Sequence, residues 1–348
     1  MTDLTAFLGG LTESRGITGD EATVARRIAD AFSPLCDSVS VDVMSNVIAK
    51  MGSTGPRVMI TAHLDEIGLL ATDVEEDGAI RIGRVGGVDP RILPGSRVTV
   101  YTEEGPMPGI VGAMPPHLLS KDDQKKNYEL NKLHVDLGLP PERVRALVSP
   151  GTPIALYGPL RALQNNRQTG KSIDDRCGVA VMQRTAELLQ KSELPAQVFF
   201  VAAAQEETSS FGVQTSAYAI RPDIGVAIDV THAEGPGCEG LDGVHPIDKV
   251  VLTEGPNIHP KLHKHFIDLA KKNRVDAETS VFPEATWTDA ALLQLAHAGV
   301  PTVLVEIPLR YMHTTVETIS MDVLEEAARL LAAFIVNLTP QWEELLCY

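Results

Sequence analysis

The chain has no long apolar run. Nothing in its 348 residues approaches the roughly 18–20 apolar positions that span a bilayer, which argues against a transmembrane helix. Positive charge is scarce: 30 Lys and Arg against 46 Asp and Glu leave a formal net charge of -16. A surface that acidic repels nucleic acid and anionic membranes, so neither is expected as a partner. The opening MTDLTAFLGG carries Asp3 and no early Lys or Arg, so it lacks the basic start of a secretory signal. Cysteine is also sparse. Cys36, Cys177, Cys238 and Cys347 are widely spaced and form no Cys-x-x-Cys. That usage fits free thiols in a reducing cytoplasm better than a disulfide or zinc-thiolate framework. Any metal is therefore expected on His and carboxylates. No internal repeat or low-complexity tract is present.

What is there reads as an ordinary globular protein, 44% apolar and 22% charged. The length suits one large domain plus a smaller unit. Helix patterns cover Leu4 to Leu11 and Glu21 to Phe32, and the apolar run Arg57 to Ala62 reads as a strand continued by Ile67 to Ala71. Between Thr72 and Leu163 the texture changes. Gly, Pro and short alternating segments such as RVTVY and PIALY predict a small all-β unit, with Ser120 to Lys132 as a loop or short helix over it. An α/β rhythm then resumes. Helices are expected over 174–191, 208–220, 261–272, 287–298 and 321–338, and strands over 197–204, 224–230 and 300–307. The expectation is an α/β fold with a mixed, mostly parallel sheet flanked by helices. Residues 1–71 and 163–348 would form the catalytic domain, with 72–162 inserted.

The strand ends carry the chemistry. RVMITA ends in His63-Leu64-Asp65-Glu66, QVFFVAAA in Gln205-Glu206-Glu207, IGVAI in Asp229, and VPTVLVEIP leads to Arg310-Tyr311-Met312-His313. In open α/β sheets ligands bind at the carboxyl ends of strands. Asp174-Asp175 adds two acids at a helix N-terminus, where the dipole favours them. Each feature alone has a plain structural reading: a local His–Asp pair, an N-cap, a first-turn acid. Their convergence favours a metal site with oxygen and imidazole donors, suited to Zn, Co or Mn. Two divalent cations roughly 3.5–4 Å apart need a bridging carboxylate, with a His and an acid apiece. His63, Asp229 and a bridging Asp174 would serve one, and Glu207, His313 and the same Asp174 the other. Glu206 is then free to act as general base. Asp65 is placed to accept the second ring N–H of His63.

The strings AHLDEIG, IDDRCG, AQEET, AIDVTHA and RYMHTTVE, with PPHLL and HVDLG in the inserted unit, resemble the TET-type (tetrahedral) metallo-aminopeptidases. These are the glutamyl and deblocking aminopeptidases, some of them labelled endoglucanases. The resemblance runs through most of the chain. It implies an aminopeptidase acting on short peptides through two metal ions per subunit. It also implies a β-barrel-like insert that helps build a hollow dodecamer. The family's metal ligands fall on His63, Asp174, Glu207, Asp229 and His313, and its base on Glu206. The choice of Asp174 over Asp175 as bridge follows the family, which uses the first Asp of the pair. Two departures stand out. Ser45-Asn46 replaces the usual Gly-Asn, and Trp287-Thr288-Asp289-Ala290 replaces Gly-Thr-Asp-Ala, which bears on specificity.

His263 and His265 form a His-x-His on a helix, where residues two apart face different ways, so both read as solvated side chains. His232 and His117 stay open as neighbours of the site or of a subunit contact, and the remaining histidines carry no signal. Competing activities are an N-acyl deacylase or carboxypeptidase on the same scaffold, with Arg310 or Arg176 binding a substrate carboxylate, and an endoglucanase using two carboxylates without metal. A non-catalytic cage would have no use for Glu206 beside Glu207.

Overall fold

A computed structural model describes residues 2–238 and 240–346. Cys347 lies outside them, and Cys36, Cys177 and Cys238 are free thiols.

The apolar run after Pro56 forms the strand Arg57–His63, buried from Val58 onward. A strand apolar on both faces must be covered on both, and this one lies inside a nine-stranded sheet. Across the sheet the order is Ser38–Val41, Val47–Met51, Gln197–Ala203, Arg57–His63, Ile224–Ala233, Thr302–Leu309, Val250–Glu254 and Ala277–Val281, with Val244–His245 beside Ile224–Ala233. The four strands from Gln197–Ala203 to Thr302–Leu309 run parallel. Val47–Met51 and Val250–Glu254 flank them antiparallel. The sheet is mixed and mostly parallel, as the α/β rhythm predicts.

Side-chain alternation assigns the faces. Val58, Ile60 and Ala62 pack with the helices Leu4–Thr12, Ala22–Phe32, Ile173–Leu189, Pro260–Asn273 and Met321–Val336. Met59 faces the other way, against Val213, Ala217 and Ile220 of helix Phe211–Ile220 and Leu293 of helix Asp289–Leu293. Thr61 and His63 share Met59's parity. His63 therefore emerges at the strand's carboxyl end on that second face.

Six strands, Gly68–Val74, Ile80–Val85, Arg97–Thr102, Gly105–Gly112, His134–Asp136 and Pro153–Leu156, close into a separate barrel. Leu69, Ile80, Val98, Val100, Val135 and Ile154 fill it as a second core. The segment read as a continuation of the first α/β strand is the barrel's first strand instead. Its antiparallel partners are Ile80–Val85 and Pro153–Leu156. Ser120 to Lys132 is a surface segment with single 3₁₀ turns at Asp123–Lys125 and Leu130–Lys132. A small sheet of Arg161–Ala162, Arg167–Gly170 and Glu317–Ser320 joins the barrel's exit to the last strand's return.

Three further expectations change. The helix expected over 287–298 covers only Asp289–Leu293, because Thr288 caps it by accepting from Ala290 N–H and Trp287 stays 86% exposed. The helix expected over 208–220 divides into Glu206–Ser209 and Phe211–Ile220 at Ser210, whose φ of 51° is left-handed. His263 is buried rather than solvated. It lies on the inner face with Leu262 and Phe266, its Nε2 3.2 Å from the Leu252 carbonyl oxygen, and His265 meets the edge of Phe334. A backbone carbonyl satisfies the ring and makes its burial tolerable.

Candidate metal centre

His63 ends its strand level with Ala203 of the neighbouring strand. The chain continues from Ala203 through Ala204 and the left-handed Gln205, φ 62°, into the short helix Glu206–Ser209. A helix start leaves N–H groups without intrahelical partners. Here the Asp65 carboxylate takes two of them, from Glu206 at 3.0 Å and Glu207 at 3.2 Å, together with the Thr18 hydroxyl at 2.7 Å. Asp65 is completely buried. Burial opposes its charge, but His63, Thr18 and the Glu206 N–H together hold its carboxyl below the usual range. His63 Nδ1 stands 3.5 Å from Asp65 Oδ1 without making a hydrogen bond. The expected Asp65–His63 partnership is thus an ionic contact, and Asp65's hydrogen bonds hold the two glutamates instead.

Asp174 and Asp175 precede the regular part of helix Ile173–Leu189, joined by a cis peptide bond. Their side chains diverge. Asp175 Oδ1 accepts from Gly178 N–H at 3.1 Å, so it caps its own helix. The Asp174 carboxylate lies between two imidazoles, with Oδ1 3.1 Å from His63 Nε2 and Oδ2 3.4 Å from His313 Nε2. His313 Nε2 is also 3.4 Å from Glu207 Oε2. Glu206 Oε2 lies 3.9 Å from His63 Nε2, and Glu206 Oε1 receives the Ser210 hydroxyl at 3.4 Å. Asp229 sits on the central strand, its Oδ1 accepting from Val230 N–H at 2.8 Å. Its link to the cluster is through charge, from Asp175, Glu206, His63 and Asp174.

This charge balance fits a cation site. Asp174, Asp175, Glu206, Glu207 and Asp229 crowd around two imidazoles. Burial, reinforced by the neighbouring carboxylates, pushes Asp175, Glu206 and Asp229 well above the carboxylate range and raises Glu207. Asp174 resists burial through His313 and His63 and is held low. His313 is driven up to about 11: burial opposes its charge, and Asp174 and Glu207 overcome it. Negative charge exceeds what two imidazoles balance, and bound divalent cations would relieve it. One donor atom each from His63, Asp174 and Glu207 already lie within 4.8 Å of one another.

Two supporting groups take roles the sequence did not suggest: Glu317 had no assignment, and Arg176 was considered only for a substrate carboxylate. Glu317, 2% exposed, accepts from Ile173 N–H at 2.7 Å and Asp174 N–H at 3.1 Å through Oε2, and from His313 N–H at 2.9 Å through Oε1. One carboxylate thus ties the Asp174 loop to the His313 loop. Burial and the Asp174 charge push it up to about 8 against those three bonds. The signal in RYMHTTVE is an acid four residues past the His, where the chain re-enters a strand. Arg176 is fully buried, donating to the carbonyls of Leu64, Leu11 and Ser14 at 3.0, 2.7 and 2.9 Å and pairing with Glu66 at 3.4 Å. It anchors the His63–Glu66 loop and is closed to a substrate. Arg310, the other cation considered for a substrate carboxylate, donates its Nε to the Glu234 carbonyl.

Comparison with known proteins agrees with this architecture. A lysyl aminopeptidase of Pyrococcus furiosus is 32% identical over 334 residues, covering 95% of this chain and 96% of its own. The crystal structure of a TET aminopeptidase from a marine sediment archaeon of the Thaumarchaeota superposes with a TM-score of 0.94 at 28% identity, covering 99% of both chains. A TET peptidase of Pyrococcus horikoshii, described as assembling into a tetrahedron or a large octahedral shell, has a TM-score of 0.85 at 28% identity, covering 97% of this chain and 100% of that one. The family model of the M42 glutamyl aminopeptidases matches residues 45–330, and the chain belongs to that family.

Proposed function

We propose that the chain removes N-terminal residues from short peptides at a two-cation site, with Glu206 as general base. Family membership supports the coarser statement, an aminopeptidase. The observation that carries the finer one is the Asp174 carboxylate shared between His63 and His313, with Glu206 and Glu207 beside it. His63, Asp229 and Asp174 would hold one divalent cation, and Asp174, Glu207 and His313 the other. Zn, Co and Mn all suit these donors. Bound there, the cations would polarise the scissile carbonyl and acidify the attacking water.

The chain's own residues do the rest. Glu206, 13% exposed at its side chain, is open enough to meet a water and buried enough to favour taking its proton. It then returns that proton to the leaving amine. Asp65 keeps this base and Glu207 in register by holding both backbone N–H groups. The cluster's negative charge favours a free α-ammonium on the substrate over a carboxylate. That preference, with Arg176 sealed in the core, supports an aminopeptidase over a carboxypeptidase.

The inserted unit, expected over 72–162, is assigned to oligomerisation and substrate access. By similarity to the Pyrococcus horikoshii TET1 peptidase, described as a dodecamer and as assembling into a tetrahedron or a large octahedral shell, the chain would form a homo-oligomer, a dodecamer. Exposed Ile110, Met114, Leu118, Leu139 and Tyr157 in and beside the barrel support a contact surface there. Three free thiols, and no described helix long and apolar enough to cross a membrane, fit a cytoplasmic location.

The test is to strip the protein with chelator, restore Zn, Co or Mn singly, and assay aminoacyl-anilides beside an N-acetylated control. Metal-dependent release from free-amine substrates alone is expected. Cleavage of the acetylated control would move the activity to an N-acyl deacylase, and activity surviving chelation would remove the metal from the mechanism.

A further inference from the structure

The barrel meets the centre where strand Ile80–Val85 ends. Strand Ile80–Val85 runs straight into Gly86-Gly87, and the Gly87 carbonyl oxygen lies 3.2 Å from His313 Nδ1. That nitrogen is the far side of the ring from Nε2, which faces Asp174 and Glu207. A carbonyl only accepts, so the hydrogen sits on Nδ1 and Nε2 is directed at the cluster.

We propose that Gly86-Gly87 is a positioning element of the metal centre, through which the barrel orients His313. The proposal rests on the reading of His313 as a metal ligand. Three observations support it. First, both glycines stand where a side chain has no room. A Cβ on Gly87 would lie 2.4 Å from His313 Nδ1 and 2.6 Å from its Cε1, and one on Gly86 would lie 2.8 Å from Ile67 Cγ2 and 3.3 Å from Glu207 Oε2. Gly86 also has a φ of 70°, which disfavours any other residue. Second, His313 needs outside support. It sits in a loop at a left-handed φ of 62°, and its side chain is 29% exposed against 2% for His63. Glu317 fixes its backbone, and the Gly87 carbonyl meets its ring. Third, that carbonyl belongs to a unit with its own core, so any shift of the barrel on the sheet moves the group that aims the ring. Partners on the second nitrogen of a metal-binding imidazole typically change metal affinity by about 10–100-fold.

Gly87→Ala tests this in the assembled protein, with zinc binding to the chelator-stripped form read by calorimetry. One of two binding events is expected to weaken by about 10–100-fold while the other holds. Gly112→Ala, elsewhere in the barrel and with nothing closer than 4.0 Å to the added carbon, is expected to change neither. In a His313→Ala background the Gly87→Ala change should add nothing, because the ring it displaces is gone. If Gly87→Ala alone fails to assemble, Gly87→Ala/His313→Ala should recover assembly for the same reason. Wild-type affinity at both sites in Gly87→Ala would overturn the proposal. So would an additional loss, or persistent misfolding, in the double variant. A His313→Ala protein that binds both zinc ions with wild-type affinity would instead remove the ligand reading on which the proposal stands.

Discussion

The side-chain cluster divides into two halves, one around His63 and one around His313, and they are built differently. His63 is the last residue of a strand in the middle of a parallel sheet, 2% exposed, and its position follows from strand register and the core beneath it. His313 sits in a loop, 29% exposed, held by a carboxylate under its N–H and a carbonyl from another unit at its ring. The first half is preorganised by folding itself. The second depends on two separate contacts, so on the proposed two-cation reading it should bind its cation more weakly and vary more with changes at a distance. The Asp174 carboxylate lies between the two imidazoles.

The largest effect is expected at Glu206, the proposed general base. Glu206→Gln should lower kcat by about 10²–10⁴-fold while metal content per subunit stays as in the wild type. A Glu206→Gln protein with native turnover would remove it as base. Next is Glu317→Gln. A single amide oxygen cannot serve three N–H donors on two loops. Cation affinity should fall mainly at the His313 half, with a stability loss of about 1–3 kcal/mol in urea titrations. Equal weakening of both halves would mean that Glu317 supports the whole cluster and that the two halves are not built differently.

The side chains that the structure brings together, His63, Asp174, Glu206, Glu207 and His313, were legible in the sequence, and the groups that hold them in place were not. Arg57 to Ala62 announces a buried strand, and a His or acid at the end of four such strands announces a site at their shared edge. Glu317 and Gly87 act on backbone N–H groups and through a backbone carbonyl, and neither leaves a hydrophobic period to read. The strand Ser38–Val41 escaped for a related reason: it is mostly exposed at the sheet's edge, so it shows no apolar alternation. The barrel's first strand was attached to the wrong unit because local pattern gives no pairing partner. Only the register with Ile80–Val85 and Pro153–Leu156 assigns it. Asp65 lies beside His63, but its hydrogen bonds go to the Glu206 and Glu207 N–H groups and follow from the helix start that Gln205 imposes.

Within the sheet, burial carries a pH cost. Glu306 pairs across the ladder with Asp229, and burial pushes it from 4.5 up to about 7, offset in part by the Thr253 hydroxyl. Its folded value lies above its unfolded one. The stability it contributes is therefore complete below about pH 4.5 and lost as pH rises through about 7. Glu306→Gln should flatten that fall, by up to ~3 kcal/mol at pH 8, in urea titrations across the range. An unchanged slope would show that Glu306 does not titrate there. The smallest effect concerns Ser45. Its φ of 70° is the left-handed region that favours glycine. Ser45→Gly should raise stability by less than about 1 kcal/mol, seen as a small rise in Tm.

The central claim is that the Asp174 carboxylate joins two cations, and anomalous diffraction from zinc-loaded crystals tests it most directly. Two peaks per subunit are expected roughly 3.5–4 Å apart, one beside His63 and Asp229 and the other beside Glu207 and His313, with Asp174 between them. A single peak, or two peaks that do not share Asp174, would contradict it.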